Sequence, residues 1–239
     1  MYKAIFGTYD SITDYGLILT NLKISSPQPK RTTLNIPNMD GVLDLTPEPL
    51  HYSNRTIDIT FKKAEDDFAD WEAFIHNMMT DLHGKTMDIA ILSENEVITP
   101  NTWYWRGVVL VSGVELAKHL GTFIIRIDAY PYQVRPKSLT FTPSQVPQGG
   151  LAFTITNNGV ADLTTLTATQ EGTGRAVSST IQIFVDSTPK KSWIARRGET
   201  LIVLNEYAIP GGQTASFRIY MSVATGQGNC TVKWEEVRL

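Results

Sequence analysis

The sequence predicts a mainly β protein of two domains, with one α-helix in the first. Three observations carry this. The run Thr56-Ile57-Asp58-Ile59-Thr60-Phe61 alternates with period two, so Ile57, Ile59 and Phe61 share one face, the pattern of a half-buried strand. Between about Asp66 and His83 the period changes. Phe68, Trp71, Ile75, Met78 and Leu82 step by three or four residues and draw a single apolar stripe. Beyond residue 137 no helical stripe occurs, and short strand-like runs recur between turn residues.

The elements of the first domain follow in order. Residues 18–24 alternate weakly and lead into a segment carrying Pro27 and Pro29. Leu34-Asn35-Ile36 runs into Pro37-Asn38-Met39-Asp40-Gly41, where the Asp-Gly pair signals a turn. After the strand at 56–61 comes the helix. Glu65, Asp66, Asp67 and Asp70 crowd its first turns, where negative charge favours the positive end of the helix dipole. Gly84 stands where a left-handed cap belongs. A lone amphipathic helix among strands buries its stripe against a sheet. Residues 85–93, 103–111 and 123–129 read as strands, with a polar loop at 94–101 between the first two. Pro131 and Pro136 are expected to break regular pairing, because proline lacks the donor.

Composition shifts near residue 137, which divides the chain into domains 1–137 and 138–239. The second is expected to be a β-sandwich, with strands near 139–142, 151–157, 163–170, 179–185, 191–195, 200–204, 214–221 and 231–237. Its turns carry Asn157-Asn158-Gly159, Gly172-Thr173-Gly174, Pro210-Gly211-Gly212 and Gly226-Gln227-Gly228.

The 239 residues are 42% hydrophobic and 19% charged, which permits a sizeable core and argues against disorder. A net charge of −3 is too near neutral for a protein that grips phosphate backbones over a wide face. The halves differ little, with 13 basic against 17 acidic residues through Lys137 and 8 against 7 after it. The single cysteine, Cys230, excludes an intrachain disulfide and a multi-thiolate metal site. The opening residues carry no long apolar core of a leader peptide, and no run of ~18 apolar residues occurs, so no membrane insertion is expected.

Few residues point to catalysis. No G-x-S-x-G elbow is present, and the run 172–178 lacks the Gly-Lys-Ser/Thr ending of a phosphate loop. His76 and His83 lie seven apart on the helix, roughly 10 Å along its axis, too far to share one ion at ~2 Å bonds. Glu235 and Glu236 are expected on opposite faces of the last strand. Lys190, Lys191, Arg196 and Arg197 bracket an expected hairpin and read as protection of a sheet edge. Cys230 reads as a small inert core residue. Trp103 and Trp105 are expected to share a strand face; with Trp193 and Tyr207 they could stack on sugars or fill cores and interfaces. No catalytic, cofactor-binding or metal residue is assigned, no cofactor is expected, and the balance favours a structural or binding protein over an enzyme.

The order of features resembles the distal tail protein family of long-tailed phages and prophages of Gram-positive bacteria. Gly16-Leu17-Ile18-Leu19 resembles the family's first strand, and Ile36-Pro37-Asn38-Met39-Asp40-Gly41-Val42-Leu43-Asp44 its proline, glycine and aspartate-rich turn. Here Pro37 is followed by Asn38, where many relatives carry two glycines. Tyr52-Ser53-Asn54-Arg55-Thr56-Ile57, the helix with Trp71, Tyr104-Trp105-Arg106-Gly107, Ala129-Tyr130-Pro131-Tyr132 and Asn157-Asn158-Gly159 follow in the family's order.

The resemblance implies an N-terminal β-barrel-like belt domain with one α-helix and a C-terminal galectin-like β-sandwich. It implies a viral structural protein, a distal tail hub whose six copies close into a ring joining tail tube to tip or baseplate around the DNA ejection channel. The implied partners are other copies in a homo-hexamer, the tail tube protein, the tape measure protein and the tail-associated tip protein, without sequence-specific nucleic-acid binding. The implied location is the tail tip of the virion, after assembly in the host cytoplasm. Residues 94–101 and 27–33 are the candidate ring contacts. The short second domain leaves little room for an extra saccharide-binding module. The alternative, from another class, is a carbohydrate-binding adhesion module recognising host cell-wall saccharide.

Overall fold

The computed structural model describes residues 1–35, 43–46, 51–64, 68–117, 119–171, 178–196, 198–222 and 228–239. The turn 37–41, the acidic residues 65–67, the turn at 172–174, Arg197 and most of the turn at 226–228 lie outside them. The protein is mainly β, and α1 below is the one α-helix among the described residues. Two compact units divide at Gln133/Val134, just before the point where the composition shifts.

The first unit contains β1 (Tyr2–Phe6), β2 (Tyr9–Asp10), β3 (Ile18–Ile24), β4 (Thr33–Leu34), β5 (Leu43–Asp44), β6 (Arg55–Ala64), α1 (Phe68–Leu82), β7 (Thr86–Ser93), β8 (Tyr104–Leu116) and the first part of β9 (Leu120–Phe141). Hydrogen bonding orders the main strands β3-β6-β9-β8-β7-β1-β2. The sheet curls so that β1 also comes against β3. The resemblance places the first strand at residues 16–19; the structure sets β1 before it, with Ala4, Ile5 and Phe6 all buried.

Period-two burial holds along β6, where Ile57, Ile59 and Phe61 are buried, and along β9, where Phe123, Ile125, Ile127 and Ala129 are. The helix covers this face. Trp71, Met78 and Leu82 are buried, with Phe74 and Ile75 packed beside them. The Trp71 ring lies 5.7 Å from Phe123 and 6.3 Å from Phe74. Gly84 caps the helix at φ +76°, a left-handed conformation that suits glycine.

The expected break at Pro131 does not occur, because β9 runs through it to Phe141. The ladder between β6 and β9 ends at Arg55↔Ala129, so on that side Pro131 stands where no donor is required. Two ladders carry ion pairs directly across them. Arg106 donates to both carboxylate oxygens of Asp88, at 2.6 and 3.0 Å, and Arg126 to both of Asp58, at 2.7 and 3.3 Å.

Buried Gly107 on β8 answers to close backbone approach. A Cβ there would sit 2.4 Å from the Asp128 carbonyl oxygen and 2.6 Å from the Ala129 Cα. Backbone cannot swing aside as a side chain can. Gly107→Ala is therefore expected to cost about 1–3 kcal/mol, read as a lower denaturant midpoint; an unchanged midpoint would mean the strands are not so close.

The second unit holds the rest of β9 with β10 (Leu151–Thr156), β11 (Thr165–Gln170), β12 (Ser178–Val185), β13 (Thr188–Arg196), β14 (Gly198–Val203), β15 (Thr214–Ser222) and β16 (Cys230–Arg238). Its strands form two layers, β14-β11-β16-β9 and β10-β15-β12-β13. The layers bury one core between them, including Leu166, Ile202, Val232 and Trp234 from one and Ile155, Ile181, Phe217 and Ile219 from the other. This is a β-sandwich. Asp186 and Ser187 join β12 to β13 with φ of 48° and 63°, the left-handed pair a tight hairpin requires.

The turn at 157–159 is held from inside. Buried Asn157 donates through Nδ2 to the carbonyls of Ala161 (2.7 Å) and Ile209 (2.8 Å), and its Oδ1 accepts from the Gly159 amide at 3.0 Å. A Cβ on Gly159 would meet the Val237 carbonyl oxygen at 2.4 Å.

Candidate functional site

Several of the residues weighed for chemistry have structural partners. His83 accepts the Val111 amide on Nδ1 at 3.1 Å, and no group of three or more His, Cys, Asp or Glu among the described residues is placed to hold a metal ion. Cys230 is fully buried, and burial pushes its thiol above the ordinary range. Glu235 and Glu236 do face opposite ways: Glu235 is exposed and Glu236 buried. Glu236 carries an ion pair that the sequence reading missed. Arg135 donates to it through Nε at 2.8 Å and through the short Nη2 contact, and Asn158 donates to its other oxygen from Nδ2 at 3.1 Å.

Three of the four aromatics that suggested sugar stacking are partly buried against the cores. Trp105 packs against the core of the first unit, while Trp193 and Tyr207 pack against that of the second. Lys190, Lys191 and Arg196 lie on one strand, β13, and so do not bracket a hairpin. They do sit on a sheet edge, since β13 is the outer strand of its layer. Near the β12–β13 turn an open depression of about 290 Å³ is lined by Ala152, Phe184, Asp186, Ser187, Ser216 and Arg218, with the guanidinium 5.3 Å from the Phe184 ring centre.

Two surface features remain in the first unit. The first is a two-stranded arm continuing the β3–β6 pair outward. Ser25 pairs with Thr56, Gln28 with Ser53 and Lys30 with His51, then Thr32 with Leu45, before the short β4–β5 ladder. The arm is anchored at its base, where the Tyr52 and Tyr132 rings meet edge to face at 6.2 Å and Arg55 donates to the Pro131 carbonyl. Farther out its described residues are exposed: residues 30–35 throughout, with Leu34 at 48%, and Leu45. This places the expected contact segment 27–33 on the arm. The other expected contact, the loop at 94–101, is also exposed and presents Val97 (72%) and Ile98 (46%).

The second feature is an open cleft of about 390 Å³ lined by Thr8, Tyr9, Asp14, Tyr15, Phe74, Asn77 and Asp81. Asp10 shapes the loop beneath it: its Oδ1 accepts the amides of Ile12 (2.8 Å) and Thr13 (3.3 Å), and Lys3 pairs with it at 2.9 Å. That loop presents Asp14 and Tyr15, and α1 presents Phe74, Asn77 and Asp81. The Tyr15 hydroxyl donates to Asp81 at 3.1 Å and Tyr9 at 3.4 Å. The Tyr15 ring lies 5.9 Å from Tyr9 and 6.2 Å, edge on, from Phe74. Burial, with help from Asp81, pushes the Tyr15 phenol far above its ordinary range. The cleft joins residues some sixty positions apart, and no local spacing announces it.

No family model matches the chain, and no curated protein matches it. Solved structures do. The SPP1 Dit protein, described as a paradigm of the hub adsorption apparatus in phages infecting Gram-positive hosts, is similar over 100% of both chains, with a TM-score of 0.57 and 15% identity. A chain of the phage P2 baseplate in its activated conformation is similar over 98% of this chain and 97% of that one, with a TM-score of 0.48 and 8% identity. At 15% identity the first of these shows a shared fold.

Proposed function

We propose that the chain is a structural phage-tail protein, a distal tail hub. Its copies close into a hexameric ring that joins tail tube to tip or baseplate and encloses the DNA ejection channel. One observation carries the reading: the likeness in fold to the SPP1 Dit hub protein runs the whole length of both chains. The exposed arm and the loop at 94–101, with Val97 and Ile98 exposed on it, suit the role, since a ring needs a head-to-tail interface that closes on itself.

The tail tube, tape measure and tip proteins are the partners of this reading, and the assembled particle is its location, after assembly in the host cytoplasm. DNA passes without sequence-specific contact, in keeping with a net charge of −3. No catalytic activity is assigned. Of the aromatics that motivate the saccharide-binding alternative, Trp105, Trp193 and Tyr207 are partly buried against the two cores.

Negative-stain imaging of the purified chain tests the reading. Six-fold rings with a central opening are expected; open filaments or only isolated single copies would speak against a closed hub, because a head-to-tail contact that fails to close makes fibres.

A further inference from the structure

We propose that the cleft between Tyr9, Tyr15 and Asp81 receives an arginine side chain, and that in the assembled protein this is Arg31 on the arm of a second copy. The proposal rests on the self-assembly reading and names the contact within it.

The chemistry of the cleft selects a guanidinium. Two carboxylates, Asp14 and Asp81, line it with the amide of Asn77, and no basic residue does. Three aromatic rings and Thr8 form the rest of the wall. A guanidinium is planar and weakly hydrated, so it can lie on a ring face while its N–H groups meet carboxylate oxygens. The Tyr9 and Tyr15 hydroxyls already fix the Asp81 carboxylate in place, and each of its oxygens keeps a further acceptor position. The same aromatic cluster already serves one cation, since Lys63 holds its Nζ 4.8 Å from the Phe74 ring centre. A cleft of about 390 Å³ has room for an arginine head group.

The arm supplies the matching half. A two-stranded ribbon without a packed face is marginal by itself in water, so residues 30–35 need a surface to lie on. Arg31 is exposed there beside Lys30. Among the described residues no hydrogen bond or ion pair holds its guanidinium. Asp44, across the ribbon, is held low first by the Thr46 hydroxyl and amide, and Arg31 adds only a weaker pull through space. Lys30 and Arg31 at the exposed stretch of the arm and an acidic cleft on one chain form the two unlike halves of a head-to-tail contact.

Two measurements decide it. In the first, Arg31→Cys chains are mixed with Asn77→Cys chains under oxidising conditions. Buried Cys230 contributes little background. The mixture is expected to form a disulfide-linked pair of unlike chains well above what either variant forms alone; equal linking would overturn Arg31 as the occupant. In the second, Nα-acetyl-argininamide is titrated into the fluorotyrosine-labelled Arg31→Ala chain and read by fluorine NMR. Shifts at Tyr9 and Tyr15 are expected, with at least about tenfold weaker binding after Asp81→Asn and none with the neutral citrulline analogue. Equal shifts with citrulline, or shifts untouched by Asp81→Asn, would overturn the cleft chemistry. If argininamide binds as expected while the wild-type chain stays a single copy, the ring reading and the second-copy source both fail, and the cleft as a guanidinium receptor stands.

Discussion

Replacing Trp71 with alanine is expected to remove roughly 3–5 kcal/mol of stability, the range for truncating a large buried aromatic side chain. Trp71 is 2% exposed and lies between α1 and the sheet, against Phe123 and Phe74. Gly121 makes room for it on β9: a Cβ there would stand 2.7 Å from Cη2 of the indole. Truncation therefore opens a cavity where α1 packs on the sheet, which the surroundings fill only in part. Trp71→Phe is expected to cost much less. It keeps most of the volume and removes the indole N–H, which is buried without a hydrogen-bond partner and so disfavours the native state. Urea unfolding of the three chains reads this. An unchanged midpoint for Trp71→Ala would mean that α1 does not bury this face.

Loss of the Glu236 carboxylate is the second large effect. Glu236 is 1% exposed and receives Arg135 and Asn158. Glu236→Ala removes the carboxylate that pairs with Arg135 where both are largely enclosed, a change that costs about 3–5 kcal/mol when one partner of a buried pair is removed. The same pair sets an acid dependence. Burial alone would raise the Glu236 carboxyl, but the Arg135 hydrogen bond and those from Asn158 outweigh it and hold the carboxyl below its usual range. A carboxyl lowered on folding contributes stability that is full above its unfolded value, ~4.3 for glutamate, and is lost as pH falls through the folded value. The stability gap between wild type and Glu236→Gln is therefore expected to be wide at neutral pH and to narrow below about pH 4. A gap constant across that range would mean that Glu236 is not ionised in the pair.

How much was legible follows from how local each feature is. The strands of the second unit could be read because their alternation and their turns lie within a few residues of each other, as in Leu166, Ala168 and Gln170, all buried along β11. The helix was legible for the same reason. Tyr2–Phe6 was not read as a strand, because Ala4, Ile5 and Phe6 are buried in succession and show no period of two. Continuation of β9 past Pro131 depends on which neighbour has run out of ladder, which is a property of the sheet. The same holds for the functional surfaces. The arm was visible only as proline-bearing segments around a turn signal, and its pairing joins residues 13 to 31 positions apart. The cleft and the Arg135–Glu236 pair join residues 66 to 101 positions apart, beyond any local pattern.

The most direct test of the assembly claim is the mass of the purified chain by light scattering over a concentration series. Closure of six 26.6 kDa copies predicts one species of about 160 kDa whose mass does not grow as concentration rises, because a closed ring leaves no free interface. A mass fixed at 26.6 kDa throughout, or one that climbs without limit, would contradict it.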